Sequence, residues 1–147
     1  MLLAKNKQSY FNYEILEKFE AGIQLQGWEV KSIRAGMVSF NDSYVKITDN
    51  GVFVLNMHIS RWRTQSPSIQ IDESRPKRLL LKKSEISKLR KYKQSPGISI
   101  IVLDIHLRNN KVKLEIGIGK GRKKFDKREY IKAKEMKRDI TRRGNRW

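Results

Sequence analysis

The stretch KVKLEIGIG, from Lys111 to Gly119, alternates apolar residues with polar or small ones. A period of two places every second side chain on the same face of a strand, so this pattern predicts one buried and one hydrated face. The preceding stretch ISIIVLDIHL, from Ile98 to Leu107, is also rich in β-branched residues. Asn109 and Asn110 lie between the two stretches, which we therefore interpret as paired strands.

Other segments fit the same architecture. YVKIT (44–48) and VFVLNMHI (52–59) flank Asp-Asn-Gly, a hairpin turn signal because Asn and Gly tolerate positive φ. The triple leucine at 79–81 is a short buried-strand candidate. Helices are predicted over 25–36, ending at Gly36, and after Ser84 as N-cap, ending before Pro96. Many short strands with a few helices predict a mainly β fold, a small antiparallel barrel.

The composition is strongly basic. The chain has 147 residues, a net charge of +18 and a pI near 10.3. Half of the excess charge, +9, lies in residues 120–147, so we place a domain boundary near Lys120, with a domain over 1–119 and a basic tail over 120–147. Such a charge favours a polyanionic partner, either nucleic acid or an anionic membrane.

The membrane alternative is the weaker one. The sequence has no apolar run of about 18 residues. The apolar run at its start is too short for a signal peptide. Without cysteine it has neither a disulfide framework nor a thiolate metal site. These features favour a cytoplasmic protein that handles RNA or DNA.

The basic tail has a thin apolar stripe. Asp126 and Glu129 have the spacing of a capping box with Asp in place of Ser or Thr. Its like charges repel one another, and it has little apolar surface to offset the entropy of ordering. We expect the tail to be disordered alone and helical against a polyanion. The alternative is a solvated tail that improves solubility or binds RNA loosely.

Catalytic constellations are not evident. His58 and His106, the two histidines, lie inside strand patterns, and Glu20, Glu29 and Asp42 show no paired-carboxylate or HExxH spacing. GIGKGRKK lacks the spacing of a phosphate-binding loop. We expect no enzymatic activity, cofactor or metal. The long polar connection Ser60–Arg78 is either a mobile surface excursion or a binding loop.

Four ordered blocks resemble one family. They are FEAGIQLQGWEVKSIRAG (19–36), DSYV (42–45), RLLL (78–81) and GKGRKKFDKR (119–128). They are similar to the signature blocks of the small protein B family, the SsrA-binding proteins that partner bacterial transfer-messenger RNA (tmRNA). The resemblance runs from about Asn6 to about Arg142, nearly the whole chain.

The resemblance implies a fold and a function. The fold is an oligonucleotide-binding (OB) type antiparallel barrel with packed helices and a basic tail that becomes helical on the ribosome. The implied function is to bind the tRNA-like domain of tmRNA and to bring it to stalled ribosomes for trans-translation and ribosome rescue. The protein stands in for an anticodon arm there, and its tail enters the decoding site and messenger channel. Elongation factor Tu is an indirect partner through the charged RNA, and the protein itself is expected to be a monomer.

The resemblance also assigns site residues by matching position. RNA contacts are expected at Glu20, Leu80, Lys113, Lys120, Arg122, Lys123 and Lys124. Ribosome contacts in the tail are expected at Phe125, Asp126, Lys127, Arg128, Ile131, Lys132 and Met136.

Three of these residues have alternative interpretations. Glu20 repels phosphate, so it either accepts from a base or ribose edge or holds a neighbouring Lys or Arg. Leu80 is either a core residue or an exposed surface for a base or ribose. Lys113 is either a solvated charge or a cation that neutralises phosphate.

The sequence departs from the family pattern at several positions. Phe125 stands where the family usually has His, and Met136 where a Trp is common. Tyr10-Phe11 replaces an Arg-His pair. These departures affect how the tail docks. The competing hypotheses are a general OB-type binder of single-stranded RNA or a ribosome-associated protein, and, from another class, a nuclease.

Overall fold

The computed structural model describes residues 1–62 and 71–144. Residues 63–70 of the polar connection that was predicted between Ser60 and Arg78 lie outside them. Nine strands are present in the described part of the chain: β1 Leu2–Lys5, β2 Tyr13–Ile23, β3 Val38–Ser39, β4 Tyr44–Thr48, β5 Gly51–Leu55, β6 His58–Ile59, β7 Lys77–Leu80, β8 Ile98–Arg108 and β9 Lys111–Gly121. The helices there are α1 Lys7–Asn12, α2 Gly27–Arg34, α3 Lys83–Lys93 and α4 Lys124–Gly144.

Seven strands form one antiparallel sheet in the order β1-β8-β9-β2-β7-β5-β4, while β3 pairs with β6. The sheet curls, because β4 at one edge comes close to β8 near the other edge. Residues from all the longer strands meet inside it, with Ile33 of α2 and Leu89 of α3 packed among them. The mainly β, antiparallel fold expected from the sequence is confirmed.

The β8–β9 hairpin confirms the period-two pattern that opened the sequence. Leu114, Ile116 and Ile118 of β9 are completely buried. The turn residues Asn109 and Asn110 have φ of 53° and 64°. Both values lie in the left-handed region that a two-residue hairpin turn of this kind requires and that Asn tolerates.

The first 23 residues supply an edge strand, a short helix and a central strand that the sequence did not reveal. β2 lies between β9 and β7, so it connects the two halves of the sheet. Asn6 fixes α1, because its side chain accepts from the Ser9 amide at 3.3 Å and donates to the Val102 carbonyl at 2.9 Å. α1 is thereby tied to β8.

Two helix starts differ from expectation. α3 begins at Lys83 with Lys82 as N-cap, not Ser84, because the Glu85 carboxylate accepts from the Lys82 amide at 3.0 Å. α4 begins at Lys124, so Asp126 is not its N-cap; Asp126 accepts from the Lys123 amide at 3.4 Å within the first turn. In both helices an acid one turn inside the helix satisfies an otherwise free amide.

No helix in the described part of the chain is both long enough and apolar enough to cross a membrane.

Candidate nucleic-acid interface

Strand pairing places three of the expected RNA contacts on one outer face of the sheet. Gly22 of β2 pairs with Leu80 on one side and with Lys113 on the other, and Lys113 pairs with His106. Directly paired residues point to the same face of a sheet. Leu80, Gly22, Lys113 and His106 therefore form a row across four strands, and Glu20 lies two residues along β2 on the same face. We call this surface the outer sheet face.

Leu80 is exposed on this face. Its neighbour Leu79 is buried, whereas 52% of Leu80 is accessible. Gly22 leaves room for it, since a Cβ on Gly22 would lie 3.2 Å from the Leu80 Cβ. The structure thus supports the exposed alternative for Leu80 over the core one. An exposed leucine on the face of a sheet is an apolar surface on which a nucleobase or ribose could pack.

Glu20 holds two cationic groups. Its Oε2 is 3.0 Å from His106 Nε2, and its Oε1 accepts from Arg108 Nη1 at 3.2 Å. The hydrogen bond with His106 is the largest cause that lowers the pKa of Glu20 below its usual 4.5, and Arg108 lowers it further. The alternative in which Glu20 holds a neighbouring Lys or Arg side chain therefore has a defined geometry, and the residue held is Arg108.

His106 lies between two carboxylates. Its Nδ1 is 2.8 Å from Asp104 Oδ1, while its Nε2 faces Glu20. A neutral imidazole has a single N–H, so two carboxylate acceptors require the doubly protonated ring. Partial burial lowers the pKa of His106, but the hydrogen bonds to Glu20 and Asp104 outweigh it, so the pKa lies above its usual 6.5. No sequence pattern assigned His106 to the site.

Lys113 and Glu115 complete the face. Lys113 is half-buried in the row. Burial, followed by the charge of Asp104, raises the pKa of Glu115 above its usual 4.5. Lys18 Nζ lies 3.8 Å from Glu115. The outer sheet face therefore alternates acids and bases around an exposed leucine and is not a simple cationic patch.

One group on this face has the composition of a metal site. Potential ligand atoms of Asp104, His106 and Glu115 lie within 4.8 Å of one another. A metal would need an unprotonated ring nitrogen, and both nitrogens of His106 face carboxylates as hydrogen-bond partners. The hydrogen-bonded arrangement accounts for these residues without an ion.

The expected contacts at the base of the tail lie where β9 ends. Lys120 and Lys123 are mainly exposed. Arg122 is held, since its amide donates to Asn12 at 2.9 Å and its Nε donates to the Tyr13 carbonyl at 3.2 Å. Arg122 therefore joins β9 to the end of α1. The side chains of Lys124 and Phe125 lie outside the described part of the structure.

The expected ribosome contacts are distributed along α4. Asp126 caps the first turn, and Lys127 lies over the Phe11 ring, with its Nζ 5.5 Å from the ring centroid. The remaining residues of the set are all exposed: Arg128, Ile131, Lys132 and Met136. An exposed set of this kind is available to a partner.

Comparison with known proteins places the chain in a family. A family model described as SmpB protein matches residues 3–146. The chain belongs to the SmpB protein family. Among its relatives, an SsrA-binding protein of Treponema denticola is 45% identical over 141 residues, which is 96% of this chain and 91% of that protein. Another, from Persephonella marina, is 45% identical over 97% of this chain and 93% of its own length.

A solved structure is similar as well. The chain described under "tmRNA-SmpB: a journey to the center of the bacterial ribosome" superposes with a TM-score of 0.70 and is 33% identical. The similarity covers 84% of the present chain and 87% of that one. The curled antiparallel sheet described above, with its packed helices, is thus a fold found in a solved SmpB chain.

In this SmpB family chain, the two groups of expected contacts are separate. Lys113 and Lys120 both lie on β9, seven residues apart. At about 3.3 Å per residue, they are roughly 23 Å from each other along the strand. The outer sheet face and the tail base are therefore distinct surfaces at the two ends of the same hairpin.

A buried ion group that sequence reasoning missed lies elsewhere in the molecule. Glu29 of α2 is completely buried, and its Oε1 accepts from Arg75 Nη2 at 2.6 Å. The fully buried Lys77 donates to the Met57 and Arg75 carbonyls, 4.0 Å from Glu29. Burial lowers the pKa of Lys77 to about 8 against the opposing effect of Glu29. This group joins α2 to β7 and is structural.

The two acids considered for a nuclease do not meet. Glu20 lies on the outer sheet face, whereas Asp42 lines a polar cavity of about 710 Å³ together with Asn6, Tyr44 and Lys93. General acid–base chemistry on one RNA phosphate requires convergent groups. The described residues give these two carboxylates no shared site.

Proposed function

We propose that this protein binds tmRNA and delivers it to stalled ribosomes for trans-translation and ribosome rescue. The observation that carries the proposal is the match to SsrA-binding proteins over 96–97% of the chain. The similarity to a chain solved in a tmRNA–SmpB study supports it. Both the net charge of +18 and the exposed basic surfaces suit an RNA partner.

The proposal divides the work between two surfaces. The outer sheet face holds RNA through Leu80, Lys113 and the basic side chains around Glu20. Four basic residues at the base of the tail extend this contact along the RNA backbone: Lys120, Arg122, Lys123 and Lys124. Contacts of this type neutralise phosphate and position the protein without reading sequence, so recognition depends on the shape of the RNA.

The tail contacts the ribosome in this proposal. Phe125, Asp126, Lys127 and Arg128 begin the contact, and Ile131, Lys132 and Met136 continue it in the decoding site and messenger channel. The exposed apolar residues of α4 support this role, since 42% of Ile131 and 65% of Met136 are accessible in the chain alone. In isolation the tail would be held to the body only weakly, near its start, and would be loose beyond that point; its helix would become fully ordered once ribosomal RNA neutralises its charges.

Further parts of the proposal follow from the same role. The protein acts as a binding partner and not as an enzyme. It works in the cytoplasm as a monomer, and it meets elongation factor Tu only through the charged RNA.

A general OB-type RNA binder is the alternative. It would account for the charge and the strands, but not for the match to SsrA-binding proteins over almost the full length. The test is binding to tmRNA against an equal mass of unrelated RNA at moderate salt. We expect a clear preference for tmRNA, and equal affinities would favour the alternative.

The division of labour is tested by a pair of variants. Deletion of the chain after Phe125 should leave tmRNA affinity within about threefold and should abolish peptide tagging on stalled ribosomes in vitro. Leu80→Asp should do the reverse and lose RNA affinity first, because a carboxylate on the outer sheet face repels phosphate. A truncation that removes RNA affinity would refute the division.

A further inference from the structure

The outer sheet face contains a hydrogen-bonded chain that no simple phosphate-binding role explains. Asp104 faces His106, His106 faces Glu20, and Glu20 accepts from Arg108. The two Glu20 oxygens are used separately, Oε2 for His106 and Oε1 for Arg108. Arg108 ends the chain beside the β8–β9 turn, with 67% of its side chain exposed. Arg108 is therefore the member best placed to reach a ligand, because the side chains of Glu20, His106 and Asp104 are 34%, 17% and 13% exposed.

We infer that His106 is a positioning residue of the RNA-binding face, which acts as an imidazolium between Asp104 and Glu20 and thereby directs Arg108 toward an RNA phosphate. The inference rests on the proposed function and deepens it. Charge is the physical reason. With His106 protonated, the negative charges of Asp104 and Glu20 are balanced by the positive charges of His106 and Arg108. With His106 neutral, one of the two carboxylates is left uncompensated beside the bound polyanion.

Protonation also decides geometry. A neutral His106 can donate to only one of its two carboxylates, so either Asp104 or Glu20 loses its hydrogen bond. When the single N–H donates to Asp104, Glu20 is free to turn, and Arg108 turns with it. A guanidinium held by a carboxylate has its remaining N–H groups presented in a fixed plane, which suits phosphate.

Other charged groups around His106 do not remove this dependence. The groups on the elements packed against it are the Met1 amino group and Lys5 on and beside β1, Lys18 and Glu20 on β2, Asp104 and Arg108 on β8, and Lys113 and Glu115 on β9. Among these side chains, His106 is the one whose residue type usually changes charge between about pH 5 and about pH 8.

The consequence is pH-dependent RNA binding. His106 has a pKa above its usual 6.5, so the imidazolium is present below that raised value and is lost as the pH rises through it. Affinity for tmRNA should therefore fall by about threefold to tenfold between about pH 6 and about pH 9. By linkage, bound RNA should make His106 harder to deprotonate.

The test measures the affinity of the full chain for tmRNA across this range in four proteins. The wild type should show the fall, and His106→Gln should bind more weakly at low pH with the fall lost. His106→Lys should restore tight binding at every pH, because it keeps a cation against Glu20. His58→Gln is the matched control, since it removes the other histidine, which pairs with Glu73 outside this face.

Two further variants protect the test against a folding defect. Asp104→Asn keeps the shape of the side chain and should move the midpoint of the fall to lower pH. Arg108→Gln should lower the dependence of affinity on salt by about one phosphate contact.

The possible outcomes are distinct. A pH profile of His106→Gln or of Asp104→Asn that parallels the wild type would overturn the inference, as would an unchanged salt dependence in Arg108→Gln. Failure of the wild type itself to prefer tmRNA would instead refute the proposed function.

Discussion

Strand β9 and helix α4 follow one another in the chain, and both are rich in lysine, yet they are ordered by different means. The apolar residues of β9 are completely buried at Leu114, Ile116 and Ile118. In α4, by contrast, Ile131 and Met136 are largely exposed. The same basic composition therefore belongs to a folded body in β9, where core residues of other elements cover the apolar side chains, and to an extension in α4, where the described chain leaves Ile131 and Met136 exposed.

Aromatic contacts hold α4 to the body at one point. The rings of Phe11 and Tyr130 lie 6.5 Å apart, and the Arg122 guanidinium lies 4.6 Å from the Tyr130 ring centroid. Lys127 Nζ lies 5.5 Å from the centroid of the Phe11 ring. Such contacts contribute about 0.5–1.5 kcal/mol each, far less than a buried strand gains. A helix held in this way can leave its site at little cost.

The largest expected effect is a loss of stability when a core residue of β9 is truncated, compared with a truncation in α4. Ile116→Ala should lower the free energy of unfolding by about 2–5 kcal/mol, because it removes buried methyl groups and leaves a cavity. Met136→Ala, an exposed apolar truncation in α4, should change it by less than about 0.5 kcal/mol. Urea unfolding followed by tryptophan fluorescence measures both. Equal losses in the two variants would mean that α4 belongs to the body.

A smaller effect is expected from two glycines near the junction of body and tail. A Cβ on Gly119 would lie 2.9 Å from the Tyr13 Cβ and 3.0 Å from Ile101 Cδ1, while one on Gly121 would meet nothing within 4 Å. Gly119→Ala should therefore destabilise the protein by about 1–3 kcal/mol. Gly121→Ala is the control and should be close to neutral. Thermal unfolding of the two variants would locate the last position of β9 that is packed against the body, and a neutral Gly119→Ala would show that the packing ends earlier.

The smallest effect concerns the aromatic contact itself. Tyr130→Ala should release α4 and increase hydrogen exchange of its amides by about threefold to tenfold, corresponding to about 0.5–1.5 kcal/mol. The exchange of β8 and β9 amides should stay unchanged. Ile131→Ala is the neighbouring control, because Ile131 is exposed. If Tyr130→Ala left α4 exchange as it was, the Phe11 contact would not be what holds the helix.

Local patterns made part of the fold predictable. Period-two alternation identified β9, and Asp-Asn-Gly identified the β4–β5 turn, because both signals depend on neighbouring residues only. The edge strand β1 and central strand β2 were missed, since their order comes from distant pairing partners. Ser84 was chosen as N-cap on residue type, but Glu85 satisfies the Lys82 amide in its place.

The candidate site followed the same rule. The family resemblance pointed to Glu20, Leu80 and Lys113, and the structure gathers these three on one face. The environment of His106 could not be foreseen, because Glu20 is 86 residues away and the approach depends on strand register. Likewise, nothing local shows that Glu29 is buried, since its partner Arg75 is 46 residues further along.

The ends of the polar connection after β6 are fastened to each other. The Ile59 amide donates to the Glu73 carbonyl at 2.8 Å, and the Arg61 amide donates to the Glu73 carboxylate at 3.1 Å. The chain thus leaves and re-enters the body at one place, and the ion pair of Arg75 with Glu29 anchors the returning segment. Glu73 accepts both hydrogen bonds, one through its carbonyl and one through its carboxylate, so the position at which the chain returns toward β7 depends on this single residue.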